Sequence, residues 1–176
     1  MERILLLFCL IGLPCGIFAQ NRAVDRLFDK YAGREGFTTV YISKYMFTMF
    51  ANMDDAEDED LEEMQEVFGK LDGIRILAVE DENLLGKGLN FYDEIMKDLD
   101  RSDYKELMVV KDAESDVVFL AREENGKIIE LLLIVGGDTD NALIAITGEI
   151  NLNTIGRISQ SMDIEGIEKL EELEEE

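Results

Sequence analysis

Between residues 54 and 60 the chain reads Asp54-Asp55-Ala56-Glu57-Asp58-Glu59-Asp60, a density of carboxylates that could gather a hard cation such as Ca²⁺. An EF-hand loop needs oxygen donors at alternate positions and a glycine at the sixth. Here Ala56 stands third and Glu59 sixth, so the spacing fails and a solvated acidic loop accounts for the run. Asp138-Thr139-Asp140-Asn141 is a weaker oxygen cluster behind Gly136-Gly137, where turn chemistry explains it. Ser43 beside Lys44 has the residue types of a Ser-Lys nucleophile pair. Adjacent residues leaving a strand point in different directions, however, and a serine there suits a helix N-cap better. Gly86-Lys87-Gly88 lacks the earlier glycine and the following Ser or Thr of a phosphate loop, so it reads as a connection.

Missing residue types narrow the chemistry further. Both cysteines (Cys9 and Cys15) and the single proline (Pro14) fall within the first 20 residues, and the chain has no His and no Trp. Beyond residue 20, Ser-His-Asp and Cys-His catalysis, thiol redox work and His or Cys zinc sites all lack their essential groups. Carboxylates, hydroxyls, amides, Lys, Arg and Tyr remain, which leaves a Ca²⁺-dependent or carboxylate-based hydrolase as the alternative reading. No catalytic residue, metal ligand or cofactor site is assigned, and no cofactor is expected. Forty acidic residues against 17 Lys plus Arg give a net charge of −23, which disfavours any electrostatic grip on nucleic acid or anionic lipid. The negative charge concentrates in two segments, Asp54 to Glu66 and Asp163 to Glu176. They keep the chain soluble, and they could also dock a basic partner.

The most suggestive cluster is apolar. Tyr45, Met46, Phe47, Met49, Phe50 and Met53 crowd one short helical stretch, and thioethers beside aromatic rings are what adaptable hydrophobic grooves use to hold peptides or lipids. Tyr45, Met46, Met49, Phe50 and Met53 are therefore the candidate partner-binding residues. A helix apolar on every side is ordinarily sandwiched between other elements, so burial in the core is the expected state and exposure the alternative.

These residues need a scaffold, and hydrophobic periodicity outlines one. Residues 1–19 have the form of a secretory signal: Arg3, an apolar run from Ile4 to Ile11, the breakers Gly12 and Pro14, and a cleavage point after Ala19. Lipidation at Cys15 is the rival, but Gly12, Leu13 and Pro14 match such a site poorly, so membrane anchoring is disfavoured. Val24, Leu27, Phe28 and Tyr31 mark a first amphipathic helix over 21–34, ended by Gly33 or Gly36. Phe37 to Ile42 reads as a strand, followed by the apolar helix from Ser43 to about Met53. Leu61, Met64 and Phe68 suggest a short helix closing the acidic stretch. Gly73 to Glu80 is a second strand, and Leu89, Tyr92, Ile95, Met96 and Leu99 give a third amphipathic helix up to Asp100.

Four strands follow: Tyr104 to Val110, Val117 to Arg122, Lys127 to Val135 and Ala142 to Ile150. Asn125-Gly126 predicts a type I′ hairpin, and Gly136-Gly137-Asp138 a second tight reversal, so these strands are expected to be antiparallel neighbours. Ile128 to Val135, broken only by Glu130, reads as a strand buried on both faces. Leu152, Ile155 and Ile158 resume helical spacing, and Ile167, Leu170 and Leu173 sit in the acidic C-terminal block. The expectation is one α+β domain over 20–162, a mostly antiparallel sheet of five to six strands with helices packed on it, followed by an acidic helix or tail over 163–176. The roughly 155 residues beyond the signal are enough to bury nearly 70% of their unfolded surface without a disulfide.

The run from Gly36 to Phe47 (GFTTVYISKYMF) resembles an uncharacterised secreted bacterial family, domain of unknown function 4252. Tyr104 to Met108, Ile129 to Leu132 leading to Gly136-Gly137, and Ile146-Thr147-Gly148 fit the same pattern. The resemblance spans nearly the whole chain beyond the signal. It implies a small exported or lipid-anchored protein of the Gram-negative periplasm or outer envelope, with no catalytic residues to carry over. The functional expectation is an exported non-enzymatic module that binds an envelope protein partner or senses envelope conditions. A carrier of an apolar ligand is a third reading, which would need a cavity lined by the Met and Phe helix.

Overall fold

The computed structural model describes residues 22–52, 65, 67–85 and 87–150. The signal segment 1–19, Met53, the acidic run 54–60, Leu61, Met64 and the C-terminal segments 151–162 and 163–176 lie outside the described residues.

Among the described residues six antiparallel strands form one open sheet. They are β1 (Phe37–Ser43), β2 (Leu71–Val79), β3 (Tyr104–Lys111), β4 (Ser115–Glu124), β5 (Lys127–Gly137) and β6 (Asn141–Ile150). Their spatial order is β1-β2-β6-β5-β4-β3. The described residues also form α1 (Arg22–Tyr31), α2 (Lys44–Ala51) and α3 (Phe91–Asp98). The single α+β domain expected from the pattern is present, with the sheet at the upper end of the expected strand count.

Local chemistry explains most of the boundaries. Asn125 (φ 54°) and Gly126 (φ 78°) both take positive φ in the two-residue β4–β5 hairpin, as a type I′ turn demands. Gly136 and Gly137, expected to form the next reversal, instead complete β5, and the turn falls on residues 138–140. The reason is steric. A Cβ on Gly136 would collide with Asn90 Oδ1 and the Tyr92 backbone nitrogen, so the glycine is needed where α3 crosses the strand end. Asn90 caps α3 by accepting from Asp93 N at 3.0 Å, and Asn141 Oδ1 accepts from Phe91 N at 2.7 Å from across the sheet end.

The alternation of β-strands sends side chains to two faces, and here both are apolar. On one face Leu77, Leu143, Ile134 and Val118 stand side by side across β2, β6, β5 and β4, each at most 1% exposed. Val24, Leu27 and Phe28 of α1 and Phe91 and Ile95 of α3 close over them. Tyr31, Phe37 and Phe91 stack at one corner, with ring centroids 4.8 Å apart for Tyr31–Phe37 and 5.4 Å for Tyr31–Phe91. Each such large side chain removed from water stabilises the fold by roughly 1.5–3 kcal/mol.

On the other face an apolar row crosses all six strands: Val40, Ile76, Ile144, Leu133, Phe119 and Met108. A second row runs Ile42, Ile74, Ile146, Leu131 and Ala121. Among the described residues only α2 and the turn around Phe68 pack here, α2 against β1 and β2. Coverage is thus lopsided: Phe119, Ala121 and Leu131 are buried, Ile76, Ile144 and Leu133 half-buried, and Val40 exposed.

Candidate functional site

The apolar helix expected in the core lies mostly outside it. Ser43 precedes α2 in an extended conformation (φ −86°, ψ 161°), but its hydroxyl makes no capping bond. Lys44, the other half of the suggested Ser-Lys pair, donates through Nζ to Asp72 Oδ1 at 2.6 Å and is engaged there. The helix closes with Asn52 Nδ2 donating to the Thr48 carbonyl at 2.6 Å. Within these eight residues Phe47 alone is buried, stacked on Phe68 with ring centroids 5.7 Å apart and seated in the cluster of Leu71, Ile74 and Phe119. Tyr45, Met46, Met49 and Phe50 are 75%, 45%, 55% and 45% exposed. The structure brings these four together around the Phe47 anchor; Met53, the fifth candidate, is outside the described residues. A sandwiched helix needs a layer on each side, and among the described residues α2 has the sheet on one side only, leaving its outer aromatic and thioether groups exposed.

Sequence reasoning missed the polar cluster on the opposite face. Glu130, the interruption in an otherwise apolar strand, is 2% exposed. Its Oε2 accepts from the Tyr104 hydroxyl at 2.6 Å and from Arg122 Nε at 2.9 Å, joining β3, β4 and β5 at one end of the sheet. Burial, then the negative charge of Glu130, holds the Tyr104 phenol far above its usual pKa. Its proton stays in place to donate. A buried carboxylate satisfied on one oxygen by two donors is a packing solution: it neutralises Arg122 where β3 meets the sheet. The lone acidic residue within the hydrophobic run was the available signal.

Tyr31 shows the same logic at the α1–α3 seam. Its hydroxyl donates to Glu94 Oε1 at 2.6 Å, while Lys30 Nζ reaches Glu94 Oε2 at 2.8 Å. Burial raises the Tyr31 pKa and the Glu94 carboxylate raises it further.

The oxygen cluster 138–141 does not converge on a site. Asp138, Thr139 and Asp140 are exposed turn residues, whereas Asn141 turns inward to hold α3 and donates through Nδ2 to the Gly137 carbonyl at 2.8 Å. Among the described residues no group of three or more His, Cys, Asp or Glu is placed to hold a metal ion. No helix among them is long and apolar enough to cross a membrane.

Among the described residues an open antiparallel sheet is sealed by α1 and α3 on one face and carries the exposed apolar helix α2 on the other, which defines a small α+β domain. The chain belongs to the family described as Domain of unknown function (DUF4252), whose model matches residues 31–158. No curated protein and no solved structure matches it. The family span takes in the whole sheet, α2 and α3 and leaves out nearly all of α1.

Proposed function

We propose that this chain is an exported, non-enzymatic binding module of the bacterial envelope, and that the outer face of α2 is its recognition surface for a protein partner. The observation that carries the reading is the exposure of Tyr45, Met46, Met49 and Phe50 around a single buried anchor, Phe47. Four large apolar side chains contiguous on one helix exceed the scattered exposure ordinary for a surface. Flexible thioethers flanked by aromatic rings adapt to an apolar partner at little cost in order. The acidic run that follows in sequence, Asp54 to Glu66, favours a partner whose rim is basic. The signal-like first 19 residues support export.

The test is capture from an envelope extract with the wild-type chain and with Met49→Glu. A protein retained by the wild type and lost by Met49→Glu, whose far-UV CD and melting are unchanged, supports the reading. The same proteins retained by both chains would refute it.

A further inference from the structure

The two edges of the sheet are finished differently. Along β3, Lys105, Glu106 and Lys111 are engaged in ion pairs with Glu123, Arg101 and Asp116, and the register with β4 shifts between Glu106 and Met108. Charges and a bulge are the devices that keep an edge strand from pairing with another chain. β1 has neither. Its seven residues, FTTVYIS, include no charge and no proline. Its register with β2 runs unbroken from Phe37 opposite Val79 to Ser43 opposite Gly73. Among the described residues no strand lies on its outer side.

The ladder shows which backbone groups this edge offers. Glu80 N donates to Gly36 O at 2.9 Å, so Gly36 faces β2. Alternation along an antiparallel pair then turns the backbone groups of Thr38, Val40 and Ile42 toward β2 and those of Thr39 and Tyr41 away from it. Phe37 keeps the same phase, its N–H turned away from β2 to donate to Arg34 O at 3.2 Å. The side chains here are open on both faces, Val40 37% exposed on the α2 side and Tyr41 68% exposed on the α1–α3 side. Beside the strand, Arg75 is paired with Asp25 at 2.8 Å and Lys44 with Asp72 at 2.6 Å.

We propose that the outer edge of β1 pairs with β1 of a second copy, antiparallel and centred on Val40, so that two sheets become one across a two-fold axis. In that register Thr39 of each chain exchanges both backbone bonds with Tyr41 of the other, Val40 meets Val40, and Thr38 lies opposite Ile42. The apolar row that ends at Val40 in one chain continues into the same row of the next. A neutral edge meets a neutral edge, because the negative charge concentrates in 54–66 and 163–176 and not on this strand. A basic foreign strand would find no acidic group along β1 to answer it. The inference stands apart from the α2 reading, since a strand added in the plane of the sheet does not cover the face on which α2 packs.

Sedimentation velocity of the full chain over a concentration series tests it. The wild type should pass from one chain to two as concentration rises, and more readily in about 0.5 M than in about 0.05 M NaCl, because salt screens the repulsion between two chains of net charge −23. Thr39→Pro removes the outward N–H of each strand and leaves the ladder to β2 whole, so dimerisation should weaken at least about tenfold with an unchanged far-UV CD spectrum. Val40→Lys and Val40→Glu each set like charges opposite one another across the axis. Either alone should stay monomeric, and the two mixed should dimerise, a rescue that decides the matter even if the proline variant fails to fold. Met49→Glu, on α2, should dimerise as the wild type does. A wild type that is monomeric throughout would overturn the proposal. So would a dimer that Thr39→Pro and Val40→Lys leave intact, a mixture of the Lys and Glu variants that stays monomeric, or a dimer that Met49→Glu dissolves, which would place the contact on α2.

Discussion

Leu77, Leu143, Ile134 and Val118 on one side of the sheet and Ile76, Ile144, Leu133 and Phe119 on the other come from the same four strands, one residue apart. The first set is sealed by α1 and α3, with none of the four more than 1% exposed; in the second, Ile76, Ile144 and Leu133 stay half-buried. The strands do not distinguish the faces, for both alternating sets are apolar. What differs is which helices return to cover them. The α1–α3 side has two amphipathic helices, a three-ring aromatic corner, and the ion pairs Lys30–Glu94, Arg26–Asp98 and Arg75–Asp25 along its margins. Among the described residues the other side has the short helix α2, held by Phe47, and the helical turn at Phe68, with most of α2's own apolar groups turned outward.

Truncation experiments give the largest contrast. Phe91→Ala, at a site fully enclosed between α1, α3 and the sheet, is expected to cost about 3–5 kcal/mol in chemical denaturation. Phe47→Ala is expected to cost less, roughly 2–3 kcal/mol, because the half-buried Phe68, Ile42 and Ile76 of the same cluster can relax into the space. Equal losses would show that the second face is as rigidly packed as the first.

Alkaline pH separates the faces next. Tyr104 and Tyr31 both serve the α1–α3 side, and burial raises the pKa of each above its unfolded value. The folded state keeps these protons while the unfolded chain releases them. Their stabilisation is therefore complete below pH about 10 and is lost as pH climbs beyond it. Tyr104→Phe should flatten the decline of melting temperature above that pH, and an unchanged slope would exclude Tyr104 as its source.

The smallest effect belongs to the outer side of α2. Met49→Glu and Tyr45→Ser are expected to change stability by no more than about 0.5 kcal/mol, since neither side chain is enclosed. A loss several times larger in thermal melts would mean that α2 is covered after all.

Much of this arrangement was legible in the residues. The β-branched and apolar runs of β1 to β6, the Asn125-Gly126 hairpin and the spacing of Val24, Leu27, Phe28 and Tyr31 specify elements through local chemistry, and each is present. Non-local pairing was not legible. Nothing in Gly73 to Glu80 announces that β2 lies beside β6 rather than beside a sequence neighbour, because either pairing satisfies an apolar strand. The same gap misplaced α2: its composition records hydrophobicity, whereas burial depends on how many layers surround the helix. Gly136-Gly137 reads locally as a turn, and only the close approach of Asn90 and Tyr92 reveals why the strand continues through it. Of the candidate site, Tyr45, Met46, Met49 and Phe50 were identified by type and spacing, and their exposure required the fold.

The most direct test of the open-face account is hydroxyl-radical footprinting of the chain, purified and again in an extract of its own cells. Methionines are among the most readily oxidised side chains, so Met46 and Met49 report on their surroundings. The account expects both to be labelled strongly in the purified chain and several-fold less in the extract, with half-buried Met96 on α3 unchanged. Equal labelling of Met46 and Met49 in the two settings would contradict it, leaving α2 an apolar surface that nothing meets.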